Sequence, residues 1–353
     1  MPKQGQAVYS NMRILGSWIN QRKCLRGHYV LWDIFVITLV IFLFTPALSK
    51  EIEEFKFSER LGPENFDYKI IDAFVKSGQK GILTAFKGHP EMRGTELQLS
   101  YFLKVGQPFK ADFMIGNYTD KPVDYFIICL LDYAQQKFIF NGNQDTTHSI
   151  SIKPKERIIY PLIISDIKKG THDFLLLAFR RLKDRDTSEK VEYLLLYHRA
   201  NIFAESYSLP EILYSKFSQQ SSELRASQIV VNSSKEYNDF KELSFDTRLS
   251  TEKLKYYLHV NNPYNEIVSF ASILFLDYNQ SSFKPTADKD VLYYYLNPKN
   301  QSIIAIKTAF ANQIKSLWAI GVENPYVRLE TETGTMNQIP TRVRISNIIS
   351  FQK

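Results

Sequence analysis

Cysteine is nearly missing from this chain: 353 residues contain two, Cys24 and Cys129. Two thiols exclude a disulfide framework, and no CxxC pair supplies a zinc site. They flank an apolar segment, so they stay apart if that segment enters a bilayer. Cys129, inside Phe-Ile-Ile-Cys-Leu-Leu, reads as a small buried hydrophobe whose apolar setting raises its pKa. Histidine is scarce as well. None of the six (His28, His89, His148, His172, His198, His259) sits in HExxH, and no two lie three or four residues apart. His172, beside a turn, reads as surface structure. There is no G-x-S-x-G elbow, no P-loop and no G-x-G-x-x-G. The expectation is therefore no catalytic centre, no cofactor and no metal, with an enzyme as the last of the readings. Glycine and proline are modest at 14 each, which excludes low-complexity and collagen-like chains.

A broad basic surface is also lacking. The net charge of +7 is concentrated in Lys3, Arg13, Arg22, Lys23 and Arg26, with no acid before Asp33. Beyond residue 49 the chain holds 39 basic and 36 acidic side chains, close to neutral, so no nucleic-acid partner is expected. The basic leader precedes YVLWDIFVITLVIFLFTPAL, residues 29–48. Twenty helical residues span ~30 Å, the thickness of a bilayer core. Asp33, Tyr29 and Trp32 lie at one end, where headgroups accept them. The uninterrupted part is fifteen residues, as in a signal peptide, and Ala47-Leu48-Ser49 suits cleavage before Lys50. The 28 residues ahead favour a retained signal anchor. Either way the expectation is a membrane-anchored chain with residues 50–353 on the extracytoplasmic side, or a secreted one if cleaved after Ser49.

What the chain has in abundance is Phe (25), Tyr (21) and short apolar runs, a strand-forming composition. It also repeats itself. Residues 126–138 read FIICLLDYAQQKF and residues 271–283 read ASILFLDYNQSSF. Asp132, Tyr133 and Gln135 fall on Asp277, Tyr278 and Gln280, 145 positions on, and Asn117 falls on Asn262. Pro154-Lys155 meets Pro298-Lys299 at 144, and Phe174–Ala178 meets Leu317–Gly321 at 143. An ordered series with slow drift is what tandem duplication with short loop deletions leaves behind. Within copy one, Phe109–Ile115 alternates, Val123–Tyr133 reads as a central strand, and Ser149–Ile164 runs extended through Pro154. Asp173–Phe179 and Val191–His198 follow, for about seven strands with turns every ~8–12 residues.

A strand ending in Leu-Asp-Tyr, a polar turn, a later Pro-Lys, then Lys169-Gly170-Thr171-His172 before a long apolar strand resembles the immunoglobulin-like modules of bacterial cell-surface and secreted proteins. The resemblance covers most of residues 97–203 and, in the second copy, 242–350. Copy two has Asn312-Gln313-Ile314-Lys315 without the glycine, and neither copy has the family's usual glycine after the aspartate. The resemblance implies a fold and a setting, not an activity.

The expected architecture is mainly β: two tandem Ig-like antiparallel β-sandwiches after an N-terminal transmembrane or signal helix. Its parts are a basic cytoplasmic leader (1–28), the anchor or h-region (29–48), a stalk (49–95), sandwich one (96–205), a linker (206–240) that opens with a short helix, and sandwich two (241–353). The repeated turn residues Asp132, Tyr133, Gln135, Asp277, Tyr278 and Gln280 read as structural: Leu ends a buried strand, Asp accepts from turn N–H groups, Tyr covers the rim. A calcium site needs about six or more oxygens, which the local carboxylates do not supply. Tyr264, Tyr293, Tyr295, Trp318 and Tyr326 form a candidate partner or glycan surface, set against the plainer reading that they fill the core. Asn117, Asn232, Asn279 and Asn300 begin N-x-S/T and matter only in a eukaryotic source. The reading is a non-enzymatic extracytoplasmic envelope protein whose modules bind a protein partner or act as scaffold. Its alternatives are a glycan-binding accessory module and an extracytoplasmic subunit of a membrane complex.

Overall fold

The structure is a computed structural model and describes residues 81–89, 92–94, 99–180, 195–224, 228–232, 256–283, 290–306, 316–331 and 335–350. The leader, the apolar segment 29–48, Cys24 and the charged loop 181–190 lie outside the described residues. The described residues are all β, contain no helix, and so hold none long and apolar enough to cross a membrane.

Four sheets form. Sheet 1 has the order β1 (Ile82–Gly88), β4 (Phe109–Asn117), β10 (Glu156–Ile164), β7 (Phe138–Phe140), β8 (Asn143–Asp145). Sheet 2 has the order β2 (Arg93–Gly94), β3 (Ser100–Leu103), β12 (Leu195–Ala204), β11 (Gly170–Arg180), β5 (Val123–Leu131), β6 (Ala134–Gln135), with β9 (Thr147–Ile152) also on β5. Sheet 3 has the order β17 (Asn279–Ser281), β16 (Val268–Leu276), β20 (Ser316–Glu323), β21 (Val343–Ile345), with β18 (Val291–Leu296) on β16 and β22 (Ile349–Ser350) on β20. Sheet 4 has the order β13 (Gln219–Ser221), β19 (Asn300–Ile306), β15 (Tyr256–Asn261), β14 (Ile229–Asn232). Apart from β3–β12, the strand pairs are antiparallel.

The pairings recur. Val123↔Ile152 in β5–β9 becomes Val268↔Leu296 in β16–β18. Phe174↔Leu131 in β11–β5 becomes Leu317↔Leu276 in β20–β16. Ile158↔Ile115 in β10–β4 matches Ser302↔Val260 in β19–β15. β12 has its counterpart in β21 and β22 together, separated by the break 346–348. Side-chain contacts repeat as well. The Asn117 Nδ2 donates to the carbonyls of Lys121 (2.8 Å) and Ile152 (3.1 Å), and the Asn262 Nδ2 to those of Glu266 (2.7 Å) and Leu296 (3.0 Å). Asn117 is fully buried with its amide engaged, so this N-x-T position is closed to modification in the folded chain. Lys155 and Lys299, each after a proline, take φ of 58° and 55°.

The strand period of two sorts the apolar side chains into layers. On β5, Ile127 and Cys129 enter a core shared with sheet 1, while Ile128 and Leu130 face the other way. On β11, Phe174, Leu176 and Ala178 join the first core and Leu175, Leu177 and Phe179 the opposite face. In repeat two, Leu317 and Ala319 of β20 enter the core with sheet 4, while Trp318, Ile320 and Val322 face away from it. The outward faces of sheets 2 and 3 share one buried cluster. The order of layers is therefore sheet 1, sheet 2, sheet 3, sheet 4, with an apolar core between each neighbouring pair. Fully burying one Leu or Phe is worth about 1.5–3 kcal/mol, so the middle core is a major stabilising layer.

Two of the expected segments are drawn differently in the fold. The stalk span 49–95 contains β1, paired to β4 over its whole length. The linker span 206–240 contains β13 and β14, both in sheet 4, and residues 209–217 form no helix but a single bridge at Ser215. β13 is short and polar, as a sheet edge tolerates, whereas Ile229, Val230 and Val231 of β14 are buried between polar flanks.

Candidate functional site

The hairpin between β5 and β6 is closed by Asp132 and Tyr133, with φ of 53° and 66°. Both central residues in this left-handed region are what a two-residue type I′ turn requires. Glycine or asparagine usually fills such positions, so a tyrosine there needs outside support. It has that support. The Tyr133 hydroxyl donates to the Asp173 carboxylate, and its ring is fully buried in the middle core. Asp132 Oδ1 accepts from the Asp173 N–H (3.1 Å), and the Asp132 N–H donates to the Asp173 carbonyl (2.8 Å). The aspartate was expected to hold N–H groups of its own turn. It instead clamps the turn to the start of β11. Asp277 does the same in repeat two, accepting from the N–H (2.9 Å) and Oγ (3.1 Å) of Ser316 at the start of β20.

The repeated glutamines meet each other. The Gln280 N–H donates to Gln135 Oε1 (2.7 Å), and the Gln135 N–H donates to Gln280 Oε1. Gln135 Nε2 donates to the Tyr278 carbonyl and Gln280 Nε2 to the Tyr133 carbonyl, each at 3.0 Å. This reciprocity is the signature of a local two-fold, in which one surface recognises its own copy. The repeat Leu-Asp-Tyr-x-Gln is thus the seam between the two halves. The Tyr278 ring stacks on Phe126 (centroids 3.7 Å apart), and Trp318 lies between Phe179 (4.5 Å) and Phe275 (4.1 Å).

A charged cluster sits in the same seam. Asp173 is fully buried on β11, and Arg199 is buried on β12. Arg199 Nε donates to both Asp173 oxygens at 3.1 Å, and Nη2 to Oδ2 at 2.6 Å. The rest of the guanidinium reaches repeat two: Nη1 donates to the carbonyls of Glu323 (2.9 Å) and Thr341 (3.2 Å), and Nη2 to that of Asn324 (2.9 Å). All five donors of the fork are used. Asp173 Oδ2 also accepts the Tyr326 N–H at 3.0 Å. Two strand positions further on, Asn201 accepts the Leu329 N–H (2.8 Å) and donates to the Val327 carbonyl (3.2 Å). Repeat one thereby holds the 323–329 loop of repeat two by its backbone.

His172 is buried, not at the surface as its turn position suggested. Its Nδ1 lies 2.6 Å from Asp132 Oδ2 and its Nε2 2.8 Å from the Lys168 carbonyl. Both neighbours accept hydrogen bonds, an arrangement that favours the protonated ring. Burial, the largest influence, pulls its pKa down, but the Asp132 bond and charge and the Lys168 carbonyl outweigh it and raise the pKa. Burial raises the Tyr133 phenol well above its ordinary value, opposed by Arg199 and assisted by Asp173. For Arg199 burial works against the charge, and Asp173 more than restores it. Burial also pushes Tyr293 up to about 12, and raises the Cys129 thiol.

The candidate surface aromatics are not one surface. Trp318 is fully buried and Tyr326 is 6% exposed, both in the middle core, so neither faces an outside ligand. Tyr293 and Tyr264 are half-buried; the Tyr264 hydroxyl donates to the Glu323 carboxylate at 3.2 Å. Tyr295 alone is exposed, at 46%, and stacks on Tyr214 at 4.0 Å. Sequence reasoning missed Asp173, Arg199 and Asn201. The available signal was charged residues inside otherwise apolar strands, Thr-His-Asp-Phe-Leu-Leu-Leu and Tyr-His-Arg-Ala-Asn-Ile-Phe. Among the described residues no three His, Cys, Asp or Glu side chains come together as a metal site.

The chain matches no protein-family model and no curated protein. Among solved structures it is similar to a CARDB domain from Pyrococcus furiosus in complex with di-metal ions, at 10% identity over 35% of this chain and 94% of that chain, TM-score 0.22. It is also similar to a FixG-related protein from Vibrio parahaemolyticus, at 9% identity over 36% and 99% of the two chains, TM-score 0.23. A third is the YadV chaperone, at 13% identity over 74% and 98%, TM-score 0.21. Likenesses at these scores carry no argument about what this chain does.

Proposed function

We propose that the chain is a non-enzymatic interaction module: two immunoglobulin-like β-sandwiches fused face to face into one stiff body and displayed outside a membrane by the apolar segment 29–48. The observation that carries this reading is how the repeated motif is used. Gln135, Gln280, Tyr133 and Tyr278 join the halves to each other, and the buried Asp173–Arg199 cluster of the seam ends on backbone carbonyls. A fold that uses its polar side chains to fix the angle between two modules suits holding a partner at a set geometry. The envelope setting rests on the basic leader and the apolar segment.

The test is a pull-down of the tagged chain from detergent-solubilised envelope, with size determination of the eluate. The expected result is a stoichiometric protein partner, lost when the modules are unlocked by Arg199→Ala. Recovery of the chain alone as a monomer overturns the partner reading. N-terminal sequencing of the purified chain decides between anchor and cleavage after Ser49. One observation favours a second reading, glycan binding: the exposed Tyr295–Tyr214 stack offers an aromatic face for a sugar ring. Quenching of tyrosine fluorescence by oligosaccharides, absent in Tyr295→Ala, is its expected signature.

A further inference from the structure

Exposed apolar side chains are ordinary when scattered and informative when gathered. Among the described residues nine large hydrophobic side chains are exposed, and four of them, Val105, Tyr207, Leu209 and Leu213, gather where the chain leaves repeat one. Contacts place them together. The Tyr207 ring lies against Phe203 (5.0 Å) at the edge of the Phe102–Phe203 stack. The Val105 N–H donates to Glu205 Oε1 (3.2 Å) and the Glu205 N–H to the Leu103 carbonyl (3.1 Å), which sets the 104–106 turn beside the exit of β12. The Ser208 carbonyl accepts the Thr171 N–H (2.9 Å), which fixes Leu209 beside the start of β11. Further on, Ile212 packs into the middle core and the Ser215 N–H donates to the Tyr293 carbonyl (2.7 Å). The stretch is thus pinned at both ends while Tyr207, Leu209 and Leu213 stay 66%, 61% and 66% exposed. Lys104, Lys168, Lys169 and Lys216 are exposed beside it, as are the carboxylates Asp166, Glu205 and Glu211.

We propose that this patch rests on a lipid bilayer: Val105, Tyr207, Leu209 and Leu213 enter the boundary between headgroups and acyl chains, with the lysines at headgroup level. This rests on the membrane-display part of the proposed function and names the face turned to the membrane. Three observations carry it. Aromatic and aliphatic tips with lysines beside them are the composition of interfacial contacts. Four such tips offer on the order of 400–500 Å², short of the ~800 Å² per partner of a standard protein interface. A bilayer contact needs no such area, because the chain is already tethered. Residues 49–80 join the apolar segment 29–48 to the described body, and these 32 residues reach at most about 110 Å, so the bilayer is a surface at high local concentration. Four lysines against three carboxylates leave little net charge, so apolar insertion carries the contact and anionic lipid adds little.

The test uses the full chain with Cys24→Ser in phosphatidylcholine vesicles, carrying a nitroxide at Leu209→Cys; the native Cys129 is buried and takes no label. The comparison position is Ile267→Cys, 61% exposed just before β16. Collisions with oxygen, which partitions into lipid, and with a water-soluble nickel chelate are read by EPR. Expected is an oxygen-to-nickel ratio at 209 about tenfold above that at 267, unchanged by added phosphatidylglycerol and lost in Tyr207→Asp with Leu213→Asp. An unchanged Tm shows that variant folded; Tyr207→Ser with Leu213→Ser serves if it is not. Equal ratios at 209 and 267, a ratio that survives the variants, or one that rises only with phosphatidylglycerol overturns the proposal. Dipolar broadening at 209 with low collision rates for both reagents shows a second copy on the patch and overturns it too. An anchored chain whose position 209 reads as water sinks the patch and spares the display reading. Cleavage after Ser49 sinks that reading, and flotation of the mature chain with the same vesicles then decides the patch: flotation lost in the variants upholds it, and no flotation overturns it.

Discussion

Repeat one and repeat two share the pairing and register of their central strands but differ in how they hold the same seam. In repeat one the residue that meets the turn aspartate is Asp173, near the start of β11, buried and paired with Arg199. At the matching start of β20 stands Ser316, which meets Asp277 with a neutral hydroxyl. The position matching Arg199 falls in the break between β21 and β22. Where repeat one uses charge, repeat two uses aromatic area: Trp318 occupies the place of Leu175, stacked between Phe275 and Phe179. A duplicated interface can thus be closed by two unlike solutions on its two sides, an ion pair that grips backbone and a ring that fills volume.

The sharpest way to break this comparison is to remove the guanidinium. Arg199→Ala leaves Asp173 buried without a counter-charge, and urea unfolding should show a loss of about 3–5 kcal/mol. Ser316→Ala, the matching change in repeat two, should cost only about 1 kcal/mol. Equal losses would mean that the two ends of the seam are not different in kind. Replacing the pair together, Arg199→Met with Asp173→Leu, should recover part of the loss.

Next comes the aromatic side. Trp318→Ala should destabilise by about 3–5 kcal/mol and Leu175→Ala by about 2–5 kcal/mol, both read from the same unfolding midpoints. Both sit in the middle core, so either change should also loosen the other repeat, visible as faster exchange at β11 and β20 alike.

The two-fold itself is tested by the glutamines. Gln135→Ala and Gln280→Ala should each cost about 1–3 kcal/mol, and the double variant less than their sum, because each removes the partner of the other. Additive effects would show that the reciprocal bonds do not act as one contact.

Two histidines of repeat one give opposite pH signs. The folded-state pKa of His172 is raised, so its contribution is complete below its unfolded value and is lost as pH rises through the folded one. His198, stacked on Phe86 at 5.7 Å, is depressed by burial to about 4. The unfolded chain therefore binds its proton more readily, and stability falls as pH drops from ~6.5 towards about 4, by ~1.4 kcal/mol per pH unit. His172→Gln should flatten the alkaline side of the stability profile and His198→Phe the acid side. The smallest effect belongs to Tyr295→Ala, at the exposed end of the aromatic group, which should stay within about 0.5 kcal/mol of the parent.

Much of this architecture is legible in the residues. The offset of Asp132-Tyr133-x-Gln135 to Asp277-Tyr278-x-Gln280 foretells the matching registers of β5 and β16, since a hairpin is a local object and its turn residues travel with it. The apolar run Val123–Tyr133 marks a strand covered on both faces, as found. Less legible were the short strands β1, β13 and β14, which lie at sheet edges beside irregular or polar sequence. The cluster of Asp173, Arg199 and His172 was hidden for a related reason: its members are 26 residues apart or more, or sit beside a turn, and only packing brings them together.

By itself the sequence determined which residues alternate inward and outward, where the turns fall, and that the second half repeats the first. Those follow from backbone geometry and side-chain period, which act over a few residues. Only the tertiary structure decided what covers the outward faces of β5, β11, β16 and β20. An apolar face shows that it will be buried and says nothing of its partner. That choice placed Trp318 and Tyr326 in the interior and turned a repeated glutamine into a mutual contact.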